Sequence, residues 1–183
     1  MSNVQRFLDG LSSYRENTAF AGISERVSYN TLLEKVSEYR AWIDSNEILK
    51  FEKVAILGDF NHSTIAVLLA LFENNNLVIP FSSNSVIELD RALAISGCDW
   101  IIDFTEPHPA ATKRRESANH QLFDQLVASE SPGLMLFSSG STGTPKGILH
   151  NFDKILARFE KPGKQNTAIP LLMFDHYGGY NTI

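Results

Sequence analysis

Apolar residues recur at Val4, Phe7, Leu8 and Leu11, the i, i+3, i+4, i+7 spacing of one helix face. Ser2 stands three residues before Gln5, as in a capping box, so a short amphipathic helix is predicted over residues 2–13. Residues 18–22 and 26–28 read as a small hairpin or a pair of short strands. A longer helix is predicted from Tyr29, with Leu32, Leu33, Val36, Tyr39 and Ile43 along one face. The pattern then changes to short continuous apolar runs. Val54-Ala55-Ile56-Leu57, ending at Gly58, has the character of a strand buried on both faces. Leu77-Val78-Ile79 before Pro80, and Trp100-Ile101-Ile102, repeat it. Asn61 can cap an intervening helix whose core, residues 65–72, is apolar nearly all round. Asn74-Asn75-Asn76 can end that helix, because Asn tolerates the left-handed conformation. Ser85 and Glu88 have capping-box spacing for a further helix through Leu89 and Leu93 that stops at Gly97.

Strand, helix, strand, helix, strand with short links is the order of a mainly parallel sheet with crossover helices. The expected fold class is therefore α/β. Residues 105–119 break the rhythm with two prolines, the basic run Lys113-Arg114-Arg115 and few large apolar side chains, and read as a solvated loop. Leu122, Phe123, Leu126 and Val127 then predict a short helix, residues 133–137 a fourth strand, and Gly147-Ile148-Leu149 a fifth.

Composition narrows the choice of partners. The chain has 183 residues, enough for one ordinary core, and twelve Phe with two Trp argue against disorder. Sixteen basic against twenty-one acidic residues leave a formal net charge of −5, so nucleic acid and anionic membrane are not expected partners. The single cysteine, Cys98, excludes an intrachain disulfide framework and a cysteine-clustered zinc site. Residues 65–72, the longest apolar run, are too few to span a bilayer, and Arg6 and Asp9 fall where a signal peptide needs apolar residues. A cytoplasmic protein is the expectation.

One segment asks for chemistry. Ser138-Ser139-Gly140-Ser141-Thr142-Gly143-Thr144-Pro145-Lys146-Gly147 sets five hydroxyls, three glycines and a lysine directly after an apolar strand. Glycines let backbone N–H groups turn inward around an anion, hydroxyls add donors and metal ligands, and Lys146 adds a mobile cation. The spacing is not that of a Walker A loop, since Gly140 and Gly143 enclose only two residues and Pro145 precedes the lysine. No Gly-x-Gly-x-x-Gly dinucleotide fingerprint occurs. A Ser/Gly linker is the bland alternative, but a linker has no reason to sit between two β-like runs with a Pro-Lys-Gly.

From Leu136 to Ile148 this stretch resembles the signature loop of the adenylate-forming superfamily. That group includes acyl- and aryl-CoA synthetases, luciferases and the adenylation domains of nonribosomal synthetases. Leu149-His150 after the loop is most similar to acid–CoA ligases. Weaker landmarks follow in the family's order. Val27-Ser28-Tyr29-Asn30-Thr31-Leu32 resembles an early Tyr-x-x-Leu segment, and residues 71–82 a Lys-Ala-Gly-Ala-x-x-Val-Pro segment in which Asn74-Asn75-Asn76 replaces the usual small residues. Residues 88–98 resemble a helix ending Ser-Gly-Ala, with Cys98 where Ala is common and a small buried residue is expected. Phe174-Asp175-His176-Tyr177-Gly178-Gly179 resembles the motif that begins the acid pocket.

The resemblance implies an enzyme that uses ATP and magnesium to turn a carboxylic acid into an acyl adenylate, then passes the acyl group to the thiol of coenzyme A or of a carrier protein. Ser138, Ser139, Gly140, Ser141, Thr142, Gly143, Thr144 and Lys146 would hold the phosphates, with Ser139 or Thr142 reaching magnesium. Asp175, His176, Gly178 and Gly179 would border the acid. His176 with the two glycines has the acyl-CoA form, whereas Phe174-Asp175 has the form that holds the ammonium of an amino acid; the acyl-CoA form is the first expectation. His150 would serve the acetate-type site or simply pack. Lys113-Arg114-Arg115 could meet the phosphates of coenzyme A or be solvated. Residues 1–183 correspond to the N-terminal portion of the large domain of such a ligase, inactive alone, and self-association through an open sheet edge is expected. A non-catalytic nucleotide-binding or scaffolding module, and an amino-acid-activating adenylation domain, are the alternatives.

Overall fold

The computed structural model describes residues 2–22, 25–85, 87–105, 108–115, 118–138, 144–159, 168–169 and 172–180. The first helix, α1 (Asn3–Leu11), starts where Ser2 accepts the Gln5 N–H. A two-stranded antiparallel ribbon, β1 (Thr18–Ala21) and β2 (Arg26–Ser28), leads into α2 (Tyr29–Ser45), which Ser28 caps through the Thr31 N–H. The alternating part follows: β3 (Lys53–Leu57), α3 (His62–Glu73), β4 (Leu77–Phe81), α4 (Leu89–Ser96), β5 (Trp100–Asp103), β6 (Ala110–Lys113), α5 (Gln121–Ala128), β7 (Gly133–Ser138) and β8 (Lys146–Asn151). A short α6 (Phe152–Leu156), a 3-10 turn (Ala157–Phe159) and α7 (Tyr177–Tyr180) complete the described elements.

Among the described residues the main sheet has six strands in the order β6-β5-β3-β4-β7-β8. The inner four are parallel, and an antiparallel strand closes each edge: β6 on β5 and β8 on β7. The α/β class with a mainly parallel sheet is as expected. Two sequence readings need correction. Residues 105–119 contain β6, a strand with no continuous apolar run because only Ala111 among its four residues is partly covered. The predicted Ser85–Glu88 capping box does not form: Glu88 is itself the N-cap, without a side-chain bond, and Ser85 instead accepts the Ile87 N–H at 3.2 Å.

Alternate residues of each inner strand face two different cores. Val54, Ile56, Val78, Ile102, Leu134 and Leu136 meet α1, α2, α3 and α6, whereas Ala55, Leu77, Ile79 and Phe81 meet α4 and α5. Helix α3 is buried from Thr64 to Phe72 because α2 packs on the side turned away from the sheet. That two-sided burial is why its sequence is apolar all round. Asn61 and Thr64 form its capping box, and Asn75, at φ 60°, supplies the left-handed turn that ends it.

The amino ends of the parallel strands are tied by buried polar groups. Asn76 is fully buried and donates to the carbonyls of Leu49 (2.8 Å) and Glu52 (3.0 Å), while Asn74 donates to Ile48 O (3.2 Å) and to the Asn76 side chain (2.9 Å). Asn74 and Asn76 therefore anchor the loop before β3, work that small side chains could not do. Lys53, 5% exposed, donates to Ala118 O at 2.7 Å and lies 3.8 Å from Asp99. Glu52 takes the Trp100 indole N–H at 2.6 Å and has Lys113 3.6 Å away, with the Lys113 ammonium 5.0 Å above the indole ring. Arg114 donates to the sulfur of buried Cys98 at 3.4 Å. Lys113 and Arg114 thus serve this edge. Among the described residues no helix is long and apolar enough to cross a membrane.

Candidate functional site

In an open α/β sheet, ligands bind outside the carboxyl ends of the strands, where neighbouring strands send their helices to opposite faces. Here that point lies between β3 and β4, since α3 enters one core and α4 the other. The turn after β3, residues 58–61, and the turn after β4, residues 82–85, stand side by side there. Asp59 joins them: its carboxylate accepts the Ser83 N–H at 3.1 Å and the Ser83 hydroxyl. Thr64 Oγ1 donates to Asp59 O at 2.7 Å, which locks the turn to the start of α3.

The hydroxyl- and glycine-rich segment leaves the same edge from the next strand. Ser138 ends β7 and pairs in register with Lys146, the first residue of β8, so both side chains lie on one face of the ribbon. Lys146 is exposed and makes no ion pair among the described residues. Thr144 Oγ1 lies 3.5 Å from Nη2 of Arg91 on α4, whose Nη1 is 3.8 Å from Glu88. Ser139, Gly140, Ser141, Thr142 and Gly143 lie outside the described residues. No three His, Cys, Asp or Glu side chains converge on one point among those described. Ser138 and Thr144 are the hydroxyl residues of this segment among those described, and a hydroxyl oxygen is a hard ligand of the kind magnesium takes.

The other flank carries the predicted acid-side residues. Phe174 is buried and meets Phe60 edge-on at 5.2 Å, with Tyr180 about equally far from both rings. This aromatic trio seats the segment beside the β3 turn. Asp175 is half-buried, and its charge together with burial pushes the Tyr180 phenol well above its ordinary value, burial being the larger cause. His176 is exposed, and its Nδ1 accepts the Gly178 N–H at 3.1 Å. When neutral, the ring therefore carries its proton on Nε2. Gly178 and Gly179 both lie in α7, and a Cβ at Gly179 would stand 2.8 Å from the Phe60 ring, so close approach of α7 to the β3 turn requires that glycine.

Sequence reasoning missed Asp59, Ser83 and Arg91. Asp59 had a signal, an acid directly after a buried strand and its glycine; Arg91 had none. It also gave no role to His62, which lies 3.0 Å from Glu25, or to His120, whose Nδ1 caps α5 by accepting the Leu122 N–H.

The turns after β3 and β4, with Ser138 and Lys146 on one flank and the Phe174–Tyr180 segment on the other, stand at the carboxyl edge of an α/β domain of the doubly wound kind. The chain belongs to the family of AMP-binding enzymes, in the adenylate-forming superfamily: the family model matches residues 9–168. It is 26% identical over 151 residues to fumosorinone synthetase of Cordyceps fumosorosea (72% of this chain, 4% of that protein). It is also 26% identical over 178 residues to acetyl-coenzyme A synthetase of Herminiimonas arsenicoxydans (69% and 26%). The N-terminal subdomain of Klebsiella oxytoca NpsA in complex with anthranilyl-AMSN superposes with TM-score 0.62 at 21% identity, covering 81% of this chain and 41% of that one. That likeness is one of fold. The chain spans about a quarter or less of the length of these two curated relatives.

Proposed function

We propose that residues 1–183 supply the phosphate-loop portion of an enzyme that activates a carboxylic acid with ATP, as the N-terminal part of its large domain. In that reaction a carboxylate oxygen bonds to the α-phosphorus while the bond to the oxygen bridging α and β breaks. Acyl adenylate forms and pyrophosphate leaves. A carboxylate is a weak nucleophile beside a polyanion, so charge neutralisation and in-line positioning carry the catalysis. Ser138, Ser139, Gly140, Ser141, Thr142, Gly143, Thr144 and Lys146 would hold the β- and γ-phosphates, with hydroxyls and backbone N–H groups as donors and Lys146 as the cation. Magnesium, when bound, neutralises phosphate charge, and Ser139 or Thr142 would hold it. Asp175 and His176, on the segment shaped by Gly178 and Gly179, would face the acid. The observation that carries this reading is that the loop leaves β7 at the carboxyl edge, beside the strand switch, in a chain that matches the AMP-binding family.

For the acid and its acceptor, we favour an amino or aryl acid delivered to a carrier-protein thiol. Asp175 is a half-buried carboxylate in the Phe-Asp form that suits an ammonium, and NpsA fused to ThdA is described as an adenylation-PCP di-domain at TM-score 0.60. Coenzyme A is the second reading, supported by the likeness to acetyl-coenzyme A synthetase.

Calorimetric titration of MgATP into the chain tests the site. Weak saturable binding is expected, reduced about tenfold by Lys146→Ala, the worth of one hydrogen bond to a charged group. Equal affinity in the two proteins removes Lys146 from the site. Robust carboxylate-dependent ATP–pyrophosphate exchange by residues 1–183 alone overturns their assignment as an incomplete portion.

A further inference from the structure

The strand that begins with Lys146 and the segment that carries Asp175 and His176 are joined at one place that the reaction itself does not explain. His150, on β8, stacks on the Tyr177 ring with centroids 4.9 Å apart and planes 26° from parallel. Arg158, from the 3-10 turn, donates through Nη1 to the Tyr177 hydroxyl at 3.4 Å. Three elements that are separate in sequence thus meet on one phenol. His150 lies four residues beyond Lys146 on the same strand, and Tyr177 directly follows His176.

We propose that His150 is a positioning residue, a clamp that sets the acid-side segment 174–180 against the phosphate-loop strand through its stack on Tyr177. The assignment of the two halves rests on the function proposed above; the clamp itself rests on the contacts. An aromatic pair of this geometry contributes beyond area burial, enough to shift a local opening equilibrium severalfold. The clamp closes best with a neutral imidazole. Burial pushes the His150 pKa down, and the charge of Arg158 pushes it further. A protonated ring would gain a cation–π contact with Tyr177, but Arg158 already engages that phenol and repels a second cation. The residue facing His150 across β7 is Leu134, and Tyr177 is the α7 partner, so Arg158 is the charged group that bears on it among the described residues. Acidification therefore loosens the contact between the two halves of the site.

Hydrogen exchange of the whole chain reads this without reference to catalysis. In His150→Ala, exchange within 174–180 is expected to quicken by a factor of about 3–10 at neutral pH, while β3 and β4 stay protected and certify the fold. His150→Phe keeps the stack and should restore protection. After correction for intrinsic rates, the wild-type segment should loosen on acidification and the Phe variant should not. Unchanged exchange in the Ala variant, failure of Phe to rescue, or the same acid response in wild type and Phe variant overturns the clamp. A ligand arm connects it to the site: His150→Ala should weaken anthranilyl-AMSN, which would touch both halves, and leave MgATP affinity unchanged. Equal loss of both ligands overturns the coupling. If neither ligand binds wild type, the proposed function falls and the exchange arm alone decides the clamp.

Discussion

The two ends of the parallel strands use polar residues in opposite ways. At the amino edge Asn76, Lys53 and Glu52 spend their donors and acceptors on the protein: every named partner is a backbone carbonyl, a side-chain amide, an indole or a neighbouring charge. At the carboxyl edge Asp59 and Ser83 brace the two turns, but Lys146 and His176 are exposed. Satisfied polar groups at one end fix the strands; available ones at the other can meet a ligand. The contrast predicts that substitutions at the amino edge change stability and those at the carboxyl edge change binding.

The largest effect should come from Lys53→Ala, which leaves Asp99 without its buried cation and Ala118 O without its donor. A loss of about 3–5 kcal/mol is expected, seen as a fall of about 10 °C in melting temperature. Lys53→Met, which keeps the stem, should lose less. Asn76→Ala should cost about 2 kcal/mol by stranding the Leu49 and Glu52 carbonyls, measured by urea unfolding. Lys146→Ala inverts the pattern: melting should move by no more than about 0.5 kcal/mol-equivalent while MgATP binding weakens. A large stability loss there would erase the distinction between the edges.

The smallest effect concerns Asp153, at the junction of α6 and α1. Its carboxyl is held above the ordinary value by burial, against the opposing backbone N–H groups of Val4 and Asn3 and the charge of Arg6. A folded pKa above the unfolded one means the folded state binds the proton more tightly, so the stabilisation is full below the unfolded pKa and is lost as pH rises through the folded one. Asp153→Asn should therefore melt like wild type in acid and slightly higher at neutral pH. A variant that melts lower at neutral pH would show that the carboxylate is needed in its ionised form.

The inner strands were legible because burial on both faces leaves no choice but continuous apolar runs, as in residues 54–57 and 77–79. The caps were legible where a side chain bonds within three residues, as at Ser2 and Asn61. Strand β6 was not, because an edge strand needs only its backbone to pair and exposes most of its side chains. The loop of the site announced itself by composition. Arg91 and Tyr177 did not, since each gains its place from a contact 53 or 27 residues away in the chain, Arg91 with Thr144 and Tyr177 with His150. The Asn triple was read as a helix stop, and only the folded chain shows Asn74 and Asn76 holding the preceding loop.

Helix α3 has no face made for water, because α2 covers the side that the sheet does not. Its neighbour precedes it in the chain, so a growing polypeptide on the ribosome presents α2 before α3 emerges. Synthesis thus delivers the greasy helix to a waiting cover. A circular permutant opened ahead of β3, with α2 moved to the far end, would expose that outer face throughout elongation and should depend on chaperones where the natural order does not.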